Sequence, residues 1–297
     1  MNVLHLEKRV QIVTMLVEGM SMRSVSRVAG VSINTVTKML EDVGAASSAY
    51  MDLAMRDLTI TDVQVDEIWA FIGAKQKNVP ANSDPTLGLG DCYTFTAIDR
   101  PTKLMPCYML GYRTRECAEQ FMDDLASRLA NRVQLTTDGM GGYPAAVARA
   151  FSMDVDYAVL NKSYEGGPMV VEAKRRYSPA VCTGATKNVV NGSPDLEKIS
   201  TSHVERANLT MRMGMRRFTR LTNAFSKKIE MHMHAVSLHF MHYNFARVHK
   251  TLKVTPAMQV GLAARVWSIE EIVNLVAGPV ASKRGPYKPR AAAQNSN

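Results

Sequence analysis

The sequence predicts an α/β fold, a mixed sheet flanked by helices, with a small all-helical domain in front of it. Three observations predict this fold. Residues 1–44 place their apolar side chains at helical spacing. Three successive segments between 63 and 113 are instead rich in β-branched and aromatic residues. Beyond them, helical and strand patterns alternate, which is typical of a sheet with parallel crossover connections.

The N-terminal segment is predicted to form three short helices. The first carries apolar side chains at helical spacing: Leu6, Val10, Val13 and Val17. Ser21 is placed to cap a second helix, which Gly30 ends, and Ser32 is placed to cap a third helix that ends at Gly44. Two short helices joined by a tight glycine-containing turn are typical of a helix-turn-helix.

The predicted third helix would enter the major groove of DNA in that geometry. Four polar residues at its start would then face the bases or the phosphates: Ser32, Asn34, Thr35 and Lys38. An ordinary helical bundle has the same apolar spacing and is the alternative. The chain holds 36 basic and 27 acidic residues, a net charge of +9, which indicates nucleic acid first and an anionic membrane face second.

Composition divides the chain into four parts. We predict a helix-turn-helix domain over 1–45, a linker over 46–61, an α/β domain over 62–264, and a C-terminal helix with a basic disordered tail over 265–297. Within the α/β domain, residues 166–200 form a long polar insertion without a clear period. Loops of this length are uncommon unless they are functional or flexible.

The elements of the α/β domain are predicted in the order strand, strand, strand, helix, strand, helix, strand, followed by two long helices. Their ranges are 63–73, 91–100, 104–113, 114–130, 132–139, 143–151, 155–164, 202–223 and 226–246.

Several classes of protein are not expected from this sequence. It has no run of about 18 apolar residues, so no transmembrane helix is expected. Its first residues lack the apolar core of a signal peptide, so none is expected. Its four cysteines form no CxxC pair, which argues against a zinc ribbon and a disulfide framework. We expect a cytoplasmic protein with reduced thiols.

Three acidic residues occupy positions that suit metal-assisted chemistry on phosphodiesters. Asp66 lies inside an otherwise apolar strand, where an unpaired charge is costly. Asp138 stands at the end of a strand, before a Gly-rich turn, and ligands commonly bind outside the carboxyl ends of strands. Glu205 begins a helix. Converging carboxylates can hold divalent ions that activate one oxygen and stabilise another, and Mg²⁺ prefers such hard ligands.

Each acid also has a purely structural explanation, as a strand-edge residue, a turn former or a first-turn helix acid. Glu67 is the main rival of Asp66. Neighbours on a strand point to opposite faces, so we expect only one of the two to serve as a ligand. Asp91 and Asp99 are weaker candidates.

Four blocks of the sequence resemble DDE transposases with an RNase H-like catalytic core, of the insertion-sequence-one type. They are VDEIWAFIGAK (65–75), TTDGMGGY (136–143), SHVERANLTMRMGMRRFTRLTNAFSKK (202–228) and HYNFARVHKTLKVTPAM (242–258). Together they span most of residues 63–260. The third block is the most specific, whereas the fourth is shared by many transposases and integrases.

The resemblance implies that Asp66, Asp138 and Glu205 are catalytic ligands of Mg²⁺, with Mn²⁺ as a substitute. It implies that a further group supports the Glu-bearing helix or holds DNA: Arg206, Asn208 and Arg212. Arg216 continues the same helical stripe and fits a phosphate contact. Family members often carry a Cys-rich zinc finger ahead of the helix-turn-helix, and this sequence has none.

The implied activity is cleavage of double-stranded DNA at the terminal inverted repeats of an insertion sequence, followed by transfer of the 3′-hydroxyl into target DNA. A dimer or higher multimer is expected, because two DNA ends must be held together, and the protein would work at the bacterial nucleoid. Two alternatives stay open. A DNA-binding regulator with a degenerate, inactive α/β domain would explain the helix-turn-helix and the charge but not the three acids. A nuclease of the same fold would cleave without strand transfer.

Overall fold

The structure is a computed structural model that describes residues 4–164, 181–219 and 222–276. Residues 277–297, which include the predicted basic tail, and residues 166–180 of the predicted insertion lie outside the described residues.

The chain begins with three helices, as predicted: α1 (Leu6–Val17), α2 (Met22–Ala29) and α3 (Ile33–Ala54). The side chain of Ser21 caps α2, and that of Ser32 caps α3 by accepting from the backbone N–H of Thr35 at 3.1 Å. Gly30 ends α2 with φ +66°, a conformation that glycine adopts without a steric penalty. The turn between α2 and α3 is therefore encoded locally.

A mixed sheet follows, and it confirms the predicted α/β class. In the described part of the chain its strands are β1 (Asp62–Ile72), β2 (Gly90–Asp99), β3 (Tyr108–Gly111), β4 (Gln134–Asp138), β5 (Asp156–Tyr164) and β6 (Cys182–Asn191). Their order across the sheet is β3-β2-β1-β4-β5-β6. β4 runs parallel to β1 and β5, and the other neighbours are antiparallel. β6 is an exposed edge strand within the segment that was predicted to be an insertion without regular structure.

Helices cover both faces of the sheet. They are α4 (Arg115–Ser127), α5 (Tyr143–Phe151), α6 (Ser202–Gly214), α7 (Ile229–Met241), α8 (Pro256–Gln259) and α9 (Ile269–Asn274). On one face, the ring of Phe95 packs against Phe121 of α4 and Tyr143 of α5. α6 packs against β1 and β2. No helix in the described ranges is both long and apolar enough to cross a membrane.

The two long C-terminal helices end earlier than predicted. α6 stops at Gly214 and is followed by a 3₁₀ turn, Arg216–Phe218, and α7 passes at Met241 into a π-helical turn, His242–Ala246.

α3 is longer than predicted, because it continues through Gly44 and through the first part of the predicted linker to Ala54. A Cβ atom at Gly44 would lie 2.5 Å from the Cβ of His234 and 2.6 Å from its carbonyl oxygen. Gly44 therefore does not end the helix. It lets the backbone of α3 pass close to α7, and the N-terminal helices pack directly on the α/β domain.

Candidate active site

β1 extends past the end of its neighbour β4. β4 pairs with β1 only from Asp62 to Val65, and its last residue, Asp138, lies level with Asp66. Within the described residues, no strand pairs with Asp66 or Glu67 on the β4 side. This leaves an open edge beside the carboxyl end of β4, the place where open α/β sheets commonly bind ligands.

Three carboxylates converge at this edge. Asp66, Glu67 and Asp138 each offer an oxygen atom, and the three oxygens lie within 4.8 Å of one another. We call these three residues the acidic cluster. Asp66 and Glu67 both reach this cluster, so the geometry does not single out one of them, and the expectation that only one serves as a ligand stays a prediction.

Burial and mutual repulsion make the acidic cluster hold protons unusually well. Desolvation, aided by the charges of Asp138 and Glu205, raises the pKa of Asp66 to about 6. Desolvation and the charge of Asp138 raise the pKa of Glu67 to about 7, and desolvation also raises the pKa of Asp138. Buried like charges of this kind are stabilised either by protons or by a bound cation.

Arg113 is a cation that faces the acidic cluster. It follows β3, and its Nε donates to Oε1 of Glu67 at 3.2 Å while Nη2 lies 3.4 Å from Oδ2 of Asp138. The Glu67 side chain is 2% exposed, whereas that of Arg113 is 45% exposed. No local pattern singles out Arg113, since its approach to the acids depends on where β3 ends relative to β1.

Asn208 links α6 to the acidic cluster. Its side chain is buried, its Nδ2 donates to Oδ2 of Asp66 at 3.0 Å, and its Oδ1 accepts from the hydroxyl of Thr96 at 3.1 Å. The resemblance implies that Asn208 supports the Glu-bearing helix or holds DNA. The two hydrogen bonds tie that helix to β1 and β2, and contact of Asn208 with DNA stays a prediction.

Glu205 lies beside the acidic cluster and not within it. Its Oε1 accepts from the ammonium of Lys162 and from the hydroxyl of Thr201 at 2.5 Å, and its side chain is 45% exposed. Its charge nevertheless contributes to the raised pKa of Asp66 and of Asp138. Of the three predicted ligands, Asp66 and Asp138 come together, and metal binding by Glu205 stays a prediction.

The two weaker acidic candidates stabilise turns. The carboxylate of Asp99 is fully buried and accepts from the backbone N–H groups of Thr61, Asp62 and Thr102. Asp91 accepts from the backbone N–H of Gln76 at 3.2 Å.

The predicted DNA-contacting residues lie in two places. On α3 and its cap, Ser32, Asn34 and Lys38 are exposed and Thr35 is half-buried. Lys38 forms an ion pair with Asp42, one helical turn further on, at 2.9 Å. On and after α6, Arg206 and Arg216 are exposed and Arg212 is half-buried. Contact of these residues with DNA stays a prediction.

Metal binding is expected to depend on pH. The metal-free protein holds extra protons on Asp66 and Glu67, whose pKa values of about 6 and about 7 exceed the ordinary values of 3.8 and 4.5. These groups therefore stabilise the metal-free fold below about pH 4, and that contribution is lost as pH rises to about 7. Mg²⁺ should raise the melting temperature more at pH 8 than at pH 5.5, because at low pH it must displace protons. Equal stabilisation at both pH values in thermal melts would contradict this prediction.

Arg113→Gln is expected to tighten metal binding. The guanidinium neutralises part of the charge of Glu67 and Asp138, so its removal leaves more negative charge for a cation to stabilise. Because Arg113 is partly exposed, we expect a decrease of about threefold in the dissociation constant of Mn²⁺, measured by calorimetry at pH 8. Arg115→Gln is the matched control, since Arg115 pairs with Glu119 away from the acidic cluster. Weaker binding by Arg113→Gln alone would refute this role.

The fold and the site define an α/β protein with three N-terminal helices and a half-buried acidic cluster at an open sheet edge. No family model matches the sequence, and no curated protein sequence matches it significantly. The chain is similar in structure to piggyBac transposase in a synaptic complex with hairpin DNA. The TM-score is 0.40 at 13% identity, over 91% of this chain and 69% of that one.

A second similar structure is Mos1 transposase in a paired-end complex with the left transposon end. The TM-score is 0.22 at 12% identity, over 53% of this chain and 60% of that one. Both of these structural neighbours are transposases. The insertion-sequence-one type stays a prediction.

Proposed function

We propose that this chain is a DNA transposase that cleaves phosphodiester bonds at insertion-sequence ends and transfers the 3′-hydroxyl into target DNA. The observation that carries the proposal is the convergence of Asp66, Glu67 and Asp138 at the open edge of the sheet. A DNA-binding regulator has no need of three half-buried acids held against one another.

The acidic cluster fits a hard divalent cation. Its three side chains offer only carboxylate oxygens, the ligands that Mg²⁺ prefers, and Mn²⁺ accepts the same donors. Desolvation first, and the charge of Asp138 second, raise the pKa values of Asp66 and Glu67, and a bound cation would offset both effects. Asp66 and Asp138 would hold the metal, Glu67 would join them on leaving Arg113, and Glu205 would join on leaving Lys162. The bound metal would activate the attacking oxygen and stabilise the leaving one.

The chain's own residues would position the acids and the DNA strand. Asn208 fixes the orientation of the Asp66 carboxylate from α6. Arg113, once released from the carboxylates, would be free to bind the scissile phosphate through the two N–H groups of its guanidinium fork. Catalysis would then consist mainly of positioning and charge stabilisation, without a covalent enzyme intermediate.

The N-terminal helices would supply recognition of the element ends. α2 and α3 are joined by a three-residue turn, and the exposed start of α3 would enter the major groove. We further propose that the protein acts as a dimer or higher multimer on two DNA ends, and that it works in the cytoplasm at the nucleoid.

Incubation of the purified protein with DNA from the ends of its element tests this function. Products are compared with Mg²⁺, with Mn²⁺ and without metal, for the native protein and for Glu205→Gln. We expect metal-dependent cleavage and joined products, and loss of both in Glu205→Gln. Binding without cleavage would favour the regulator, and cleavage without joining would favour the nuclease. Cleavage that survives Glu205→Gln would remove Glu205 from the catalytic set.

A further inference from the structure

A row of aromatic side chains begins beside the acidic cluster. Glu67, Trp69 and Phe71 alternate along β1 and therefore share one face of the strand. The ring centroids of Trp69 and Phe71 are 5.7 Å apart, and those of Phe71 and Phe225 are 4.7 Å apart. We call these three residues, Trp69, Phe71 and Phe225, the aromatic row. The row leads from the proposed catalytic edge to the segment before α7.

The aromatic row is only partly covered. Its three rings are half-buried, and so is Tyr93, the cross-strand neighbour of Trp69 on β2. Phe95, on the same face of β2, is fully buried under α4 and α5. On this face of the sheet, therefore, the side chain at Phe95 belongs to the closed core, whereas the side chains of the aromatic row are partly exposed at the surface.

Positive charge lies along the aromatic row. The ammonium of Lys227 is 3.0 Å from the centroid of the Phe225 ring, a cation–π contact. Exposed Lys75 and Lys77 flank Gln76, which bonds to Asp91, the cross-strand neighbour of Phe71. At the other end of the row, Arg113 bonds to Glu67.

We propose that the aromatic row binds unpaired nucleobases of the DNA strand whose phosphate is at the acidic cluster. Partly exposed rings beside cations suit a single nucleic-acid strand, because every base has a face that can stack and every linkage is anionic. Inside a duplex the base faces are already stacked, so the row selects a frayed end or a single strand. The inference rests on the proposed function, since it takes the scissile strand to lie at the acidic cluster.

The test is DNA binding without metal, followed by fluorescence anisotropy, so that no cleavage is needed. The two probes are a short oligothymidylate and a duplex from the element end. Trp69→Ala should weaken oligothymidylate binding by about tenfold and leave duplex binding through α3 unchanged. Trp69→Phe should retain most of the affinity. Lys227→Gln, at an exposed position, should weaken oligothymidylate binding and lower its salt dependence by about 0.7 in the log–log slope.

Lys38→Ala is the opposite control, since it should weaken binding of the duplex and spare that of oligothymidylate. Unchanged oligothymidylate binding in both Trp69→Ala and Lys227→Gln would overturn the proposal. If the Trp69→Ala protein unfolded and bound neither probe, oligothymidylate binding by the Lys227→Gln protein would decide the test. Failure of the proposed function would give a different result. The native protein would then not cleave DNA in Mg²⁺, while its binding of oligothymidylate would still depend on Trp69.

Discussion

Asp66→Asn is expected to lower metal-dependent DNA cleavage by roughly 1000-fold. The variant loses a negative carboxylate that would hold the metal ion beside the reacting phosphate. The substitution preserves the size of the side chain, and its amide oxygen can still accept from Nδ2 of Asn208. Folding and duplex binding should therefore be unchanged. Initial rates of strand cleavage in Mg²⁺, with duplex binding measured in parallel, check this expectation.

Asp91→Asn is the matched control on the neighbouring strand. Asp91 accepts from the backbone N–H of Gln76 and lies outside the acidic cluster, so this variant should cleave DNA at the native rate. Full activity of Asp66→Asn, or an equal loss in both variants, would show that the acidic cluster is not the catalytic site.

Gly44→Val is expected to lower the free energy of unfolding by about 3 kcal/mol. The new side chain would meet the backbone of His234 on α7, where even a single Cβ atom would approach to 2.5–2.7 Å. Neither helix can move away without disturbing the core between the N-terminal helices and the α/β domain. Urea unfolding followed by circular dichroism measures the change.

Gly184→Val provides the control for that experiment. A Cβ atom at Gly184 would meet nothing within 4 Å, and the residue lies in the exposed strand β6, where a β-branched side chain is favoured. We expect no loss of stability there. A Gly44→Val protein as stable as the native one would refute the close crossing of α3 and α7.

The sequence predicted those parts of the fold that depend on local patterns. β1 and β2 follow from runs of β-branched and aromatic residues, and the caps Ser21 and Ser32 follow from local hydrogen bonding. β6 was missed because its side chains are exposed on both faces, so it shows no apolar alternation. The predicted end of α3 is wrong because the glycine at position 44 serves the close packing of α3 against α7. Local sequence does not reveal this tertiary contact.

The candidate site was predictable to a similar degree. Asp66 is singled out by its charge in an apolar strand, and Asp138 by its place at a strand end before a Gly-rich turn. The approach of Glu67 to Asp138 depends on β4 ending level with Asp66, and that of Arg113 depends on where β3 ends relative to β1. Local sequence does not display either feature of strand pairing. The pairing of Glu205 with Lys162 depends likewise on where β5 lies relative to α6.

The central claim is that the acidic cluster holds the metal that cleaves DNA, and a change of metal preference tests it most directly. Asp138→Cys replaces a hard oxygen ligand with a softer thiolate, which favours softer ions over Mg²⁺. The measurement is cleavage of element-end DNA by this variant in Mg²⁺, in Mn²⁺ and in Cd²⁺. The account predicts loss of cleavage in Mg²⁺ and its recovery in Mn²⁺ or Cd²⁺. Cleavage in Mg²⁺ by the Asp138→Cys protein at the rate of the native protein would contradict this account.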